Sequence, residues 1–220
     1  MYRYVSELAH DLREENITPE ALGRSTLQDT LVPDGTLMPG HVFGIGRSLD
    51  GDYAIYKLEN KAVAGECKFE SEGIGYNKRV RDTMEAAFRF FENNAGKVAA
   101  GMRVTEKDYL LFFNDLQGKG LSDEVSLAEF IGLCSAACNR PVTASTVVPG
   151  ILRLSGTMDE LRGLEDIVRV AKNAGARKVL LPLGCIRDIQ NVSPELLASV
   201  SPDFYPDGDA VSAARKALDI

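Results

Sequence analysis

The chain has 220 residues, 45% of them hydrophobic and 26% charged, with a formal net charge of −7. That is enough apolar material for a buried core, and the charge excludes general phosphate-driven nucleic-acid binding by this piece on its own. No long uninterrupted apolar run occurs and the charged start, MYRYVSELAHDLREEN, is unlike a signal peptide, so the expected setting is the cytoplasm, without membrane association.

Tyr2, Val5, Leu8 and Leu12 fall at helical spacing over residues 2–15. The composition shifts near residue 30, where LVPDGTLMPG carries two prolines and two glycines. Residues 1–30 are therefore expected to be a helical linker or tail of an upstream region, and 31–220 the main domain. Strands are expected over HVFGIGR (41–47), YAIYKLEN (53–60) and ECKFESEG (66–73), with Asp50-Gly51 turning the first hairpin. The glycines of GIGRS (44–48) read as structural. In NKRVRDTMEAAFRFFENNAG, Val80, Met84, Ala87, Phe88 and Phe91 share one face of a long helix, with Gly96 its expected stop. Lys78, Arg79 and Arg81 read as a solvated face of that helix rather than a phosphate site.

DYLLFFNDL (108–116) is a strand by its apolar run, and the glycine-flanked turn QGKGLS leads into a helix from 123 to 138. Leu127, Ile131, Cys134 and Cys138 form the buried stripe of that helix. TVVPGILRL (146–154) reads as a strand, LEDIVRVAKNAG (164–175) as a helix and KVLLPL (178–183) as a short buried strand. The predicted class is α+β: antiparallel hairpins first, then βαβ-like units with helices packed on parallel strands.

Cys67, Cys134, Cys138 and Cys185 show no C-x-x-C spacing and read as reduced structural residues, so no metal is expected. His10 and His41 are the only histidines, and their segments carry no other catalytic signal. No G-x-x-x-x-G-K-[ST] motif occurs, so no nucleotide cofactor is expected on this chain.

The most informative stretch is GKGLSDEVSLAEFIGLCSAACNRPV, followed by VVPGILRLSGTMDELRGLEDIVRVAKNAGARKVLLP. Its Gly120-Leu121-Ser122 turn, Arg140-Pro141-Val142, Ala174-Gly175-Ala176 and Val179-Leu180-Leu181-Pro182 resemble, in order and spacing, the proteolytic domain of the Lon family. The resemblance is closer to the Lon-related proteins of bacterial phage-defence (BREX) systems, the BrxL type. LVPDGTLMPGHVFGIG and FYPDGDAVSAARKAL extend that likeness over roughly residues 30–220.

The resemblance implies a Lon proteolytic-domain-like fold (ribosomal protein S5 domain 2-like) and a Ser–Lys dyad with Ser122 at the nucleophile position. It also implies that this is the C-terminal piece of a larger protein, whose upstream AAA+ module would bind ATP and Mg. The implied assembly is a homo-oligomeric ring acting on a polypeptide substrate or docking partner, with DNA engaged only through the full-length protein. Carried over residue by residue, however, the lysine position falls on Glu165, in Arg162-Gly163-Leu164-Glu165-Asp166. A carboxylate there is a weak base toward a serine hydroxyl. The family's M-T-G-E segment becomes Val148-Pro149-Gly150-Ile151, losing both polar side chains.

Asp123 and Glu124 follow the serine where the family has small residues. A carboxylate about 5 Å from a developing oxyanion costs roughly 3 kcal/mol at an effective dielectric of about 20. In a helix start, by contrast, Ser122 suits an N-cap and the acidic pair suits the positive end of the dipole. Lys119, three residues before the serine, is the nearest alternative base. Lys172 lies two helical turns beyond Glu165, and Ser126 reads as helix surface. The favoured expectation is a proteolytically degenerate Lon-like module used for ring assembly or docking. The alternatives are an active ATP-dependent serine endopeptidase using Ser122 with a non-standard base, and a peptide-binding domain without chemistry.

Overall fold

A computed structural model describes residues 30–220. The expected helix over 2–15, with His10, lies outside the described residues. Residues 31–220 form one compact unit.

Its centre is a seven-stranded mixed sheet. β1 (His41–Arg47) and β2 (Tyr53–Ala64) make the expected antiparallel hairpin around Gly51, whose φ of 88° suits glycine. β3 (Phe69–Glu72), α1 (Lys78–Val98) and β4 (Lys107–Asp115) follow. β4 pairs antiparallel with β2 but parallel with β3, so α1 is a crossover helix and the front half is not hairpins throughout. Then come α2 (Ser126–Cys138), β5 (Thr146–Pro149), α3 (Leu164–Asn173) and β6 (Lys178–Pro182). Two short helices, α4 (Ile186–Ile189) and α5 (Pro194–Ser199), precede β7 (Ser201–Tyr205) and α6 (Ala210–Ala217). The strand order is β3-β4-β2-β1-β5-β6-β7, and β1, β5, β6 and β7 are mutually parallel, as the βαβ pattern predicts.

Alternation along the strands separates two cores. Val42, Tyr56, Leu58, Tyr109, Leu111 and Phe113 face α1, α2 and α6. Phe43, Ile45, Ile55 and Val179 face α3 and the short helices instead. Gly44 and Gly46 alternate with Phe43 and Ile45, and their missing side chains let α2 and its leading turn approach the sheet. An added Cβ at Gly44 would sit 3.0 Å from Val125, and one at Gly46 would overlap the Ser122 hydroxyl.

Several boundaries differ from expectation. α1 runs past Gly96 to Val98, because Gly96 keeps helical geometry with open space beside it. β2 continues to Ala64, held by β4 along its full length. β5 stops at Pro149, since Gly150 adopts a φ of 140° and only a single bridge, Leu152 to Met158, follows. α2 starts at Ser126 rather than 123, for a reason found in the serine turn itself.

Candidate functional site

Ser122 is 1% exposed, and its Oγ accepts the backbone N–H of Glu124 at 3.1 Å. This is a bond two residues along the chain, the local serine turn that competes with helix geometry. The expected N-cap role is therefore corrected: the residue preceding α2 is Val125, which makes no side-chain cap bond. The acidic pair is not spent on the helix dipole either. Asp123 accepts from Arg79 Nε at 2.6 Å, and Glu124 Oε2 accepts the Arg47 backbone N–H at 3.0 Å. These two bonds hold the turn open against α1 and the end of β1.

Ser126, expected on the surface, is fully buried. Its Oγ accepts from Leu152 N at 2.8 Å and donates to Leu152 O at 3.1 Å, tying α2 to the segment after β5. Replacing Ser126 by Ala leaves both Leu152 groups without their partner. We expect a loss of about 1–3 kcal/mol, read as a lower urea midpoint at unchanged slope.

The other expected site residues are not gathered around Ser122. Glu165 lies in the first turn of α3, 44% exposed, and pairs with Arg169 at 2.5 Å. It lines a depression with Gly163, Asp166 and Asp188, which Ser122 does not line. Lys119 is drawn toward Asp52 on the β1–β2 turn, at 3.7 Å. Among the described residues, the only hydrogen bond at Ser122 Oγ is the one it accepts from the Glu124 backbone N–H. His41 sits at the far end of β1 from Gly46, beside Glu59 at 4.0 Å. Five residues of strand put it roughly 17 Å from the serine turn. Burial lowers its pKa, so it is a neutral surface-edge imidazole. The four cysteines are unpaired, and burial raises the Cys134 thiol well above its ordinary range.

A cleft of 360 Å³ opens where β1 and β5 end and β2 begins, lined by Arg47, Tyr53, Glu124, Pro149, Ile151 and Arg162, among others. Arg47 donates to Tyr53 Oη at 3.3 Å and its guanidinium stacks 5.2 Å from that ring. Tyr53 in turn donates to the Arg162 carbonyl, fastening the 159–162 segment across the sheet end. Hydrogen bonding to Tyr53 holds Arg47 above the usual arginine value, and the Arg153 hydrogen bond holds Asp159 below the usual carboxylate range. Among the described residues, the lining has two arginines and three carboxylates but neither lysine nor histidine. Arginines and carboxylates of this kind can hold polar chain through charge-assisted hydrogen bonds. Arg47, Tyr53 and Arg162 were not singled out from the sequence; each is one polar residue at an element's end, with no local pattern to mark it.

Of the residues that the resemblance places near the dyad, Pro149, Gly150, Ile151 and Arg162 line this cleft, while Ser122 and Glu165 do not. Pro149-Gly150-Ile151 forms one wall and the 159–162 segment another, while Glu124 projects from the serine turn. No family model matches the chain. It is 39% identical over 191 residues to a Lon-like protease BrxL of Bacillus cereus (strain H3081.97), covering 87% of this chain and 28% of that protein. A Lon-like protease BrxL of Escherichia coli O9:H4 (strain HS) is 32% identical over 190 residues, 86% of this chain and 27% of the relative. A Lon protease of Koribacter versatilis (strain Ellin345) is 23% identical over 204 residues. The chain thus spans little more than a quarter of the length of these relatives.

Proposed function

The chain is a homologue of the Lon-like BrxL proteases over most of its length, and from that premise we propose that it is a proteolytically silent Lon-like module of a larger protein. In this reading it serves ring assembly or docking, and ATP and Mg act on an AAA+ module elsewhere in the protein. Any contact with DNA is made by the whole assembly.

One observation carries the reading: the serine at the nucleophile position is buried, and its Oγ is occupied by its own turn. A Ser–Lys mechanism needs an exposed hydroxyl and a neutral amine within hydrogen-bond reach of it. The lysine position carries Glu165, whose carboxylate is engaged by Arg169. The alternative base, Lys119, has a carboxylate as its neighbour. The mixed arginine and carboxylate lining of the cleft agrees with a surface that holds a polypeptide without cutting it.

The test is degradation of unfolded casein by the chain alone and by the full-length protein with ATP and Mg. No cleavage above background is expected, and Ser122→Ala should change nothing. Cleavage that disappears in Ser122→Ala would establish the active peptidase instead. Sizing of the same samples addresses the ring: a full-length protein that stays monomeric at micromolar concentration removes assembly from the proposal.

A further inference from the structure

Glu129 stands in the first turn of α2, in the apolar run LAEFIGL, and is completely buried. Its one hydrogen bond is from Asn60 Nδ2 on β2, to Oε2, at 3.1 Å. Two buried oxygens remain without a partner on this same pair of side chains, Glu129 Oε1 and Asn60 Oδ1. Unsatisfied buried polar atoms are uncommon, and two on side chains already joined to each other call for a single explanation. A charged carboxylate cannot supply one, since both orphans are acceptors.

The surroundings are built around the pair. Gly132, one turn further along α2, leaves room for Asn60: an added Cβ would lie 2.5 Å from Nδ2. Gly40 accepts the Asn60 backbone N–H at 2.9 Å and donates its own to Ser135 Oγ at 2.7 Å.

The elements around α2 bring no counter-charge to Glu129. α1 presents Met84, Ala87, Phe88 and Phe91; α6 presents alanines; β1 presents Val42. β2 presents Leu58 and the Tyr56 phenol, which burial keeps neutral. Glu59 and Lys61 flank Asn60 but point to the opposite face of the sheet, as His41 does on β1. Lys107 donates to the Ala137 carbonyl at the far end of α2, where Cys138 also lies; the Cys134 thiol is neutral.

We propose that Glu129 is an un-ionised carboxylic acid in the folded protein, pairing reciprocally with Asn60, and that this proton is a pH-sensitive clamp between α2 and β2. The Oε1–H donates to Asn60 Oδ1 while Asn60 Nδ2–H donates to Oε2, so one proton satisfies both orphans. Losing it to solvent leaves an uncompensated anion in the core. Burial, opposed only by the Asn60 bond, raises the Glu129 pKa to about 8, against an ordinary glutamate value of 4.5. Because the folded state holds the proton more tightly than the unfolded one, the clamp's contribution is complete below the ordinary value. It declines as pH rises and is gone once pH passes the folded value.

The test compares the full chain with Glu129→Gln across pH 5 to 9. Glutamine can make the same two bonds without a titrating proton. The wild-type melting temperature should fall relative to the variant by roughly 5 °C or more over this range. Infrared difference spectra of the wild type at pH 7 should show the C=O stretch of a buried carboxylic acid, absent in Glu129→Gln and lost in mildly alkaline buffer. Parallel pH profiles for the two proteins would overturn the clamp. So would a wild type lacking the acid band at pH 7, and that measurement decides the matter even if Glu129→Gln does not fold.

Discussion

Gly40→Ala is expected to cost about 3 kcal/mol or more, a large share of the whole stability of an ordinary domain. The residue has a φ of 89°, where an L side chain is strained. An added Cβ would overlap the Asn60 carbonyl oxygen and press on Ala136 at 3.2 Å. Neither neighbour can yield cheaply, because one is backbone of a central strand and the other belongs to α2. Moving Gly40 instead breaks its bonds to Ser135 and Asn60. Urea unfolding followed by circular dichroism checks this, and a midpoint within error of wild type would contradict it.

Phe91→Ala should be comparably severe, at about 3–5 kcal/mol, or a fall in melting temperature of roughly 10 °C. Phe91 is fully buried on α1, its ring edge-on to Tyr109 at 5.0 Å and tilted against Phe88 at 6.0 Å. Phe88 also stacks on Phe69, so this aromatic cluster joins α1 to both strands at the β3 edge of the sheet. The cavity left by Phe91 is bordered by the rings of Phe88 and Tyr109, which are held by their own packing, so it cannot collapse fully. Phe112→Ala is the control. That ring points from β4 to the uncovered face and is 45% exposed, so its loss should move the midpoint little.

The contrast between Phe91 and Phe112 was partly legible in the sequence. Helical spacing put Phe91 on the buried face of α1 with Val80, Met84, Ala87 and Phe88. DYLLFFNDL, however, has its apolar residues in an unbroken run, and periodicity cannot say which alternate set faces the core. The sheet decides it, burying Tyr109, Leu111 and Phe113 and leaving Leu110 and Phe112 outside.

At the candidate site the limits were of a different kind. Glu165, at the position that the resemblance gives to lysine, could be read from the sequence, and so could the acidic pair after Ser122. What Asp123 and Glu124 bond to was not. Arg79 and the Arg47 backbone lie 44 and 77 residues away along the chain, and no local rule reaches that far. The same holds for Ser126, whose partner Leu152 is 26 residues on, and for Glu129, whose partner is on β2. A glutamate flanked by apolar residues was the one written hint of the buried pair.

The sequence by itself determined the order and type of the elements from β1 to β6, because side-chain period and turn chemistry are local properties that survive without tertiary contacts. It also placed Glu165, not a lysine, where the resemblance implies the base. The tertiary structure alone decided that Ser122 is buried in its own turn, that α2 begins four residues after it, and that a carboxyl group lies in the core beneath. Those outcomes depend on which distant donors and glycines the sheet brings alongside α2, and proximity of that kind is created only by folding.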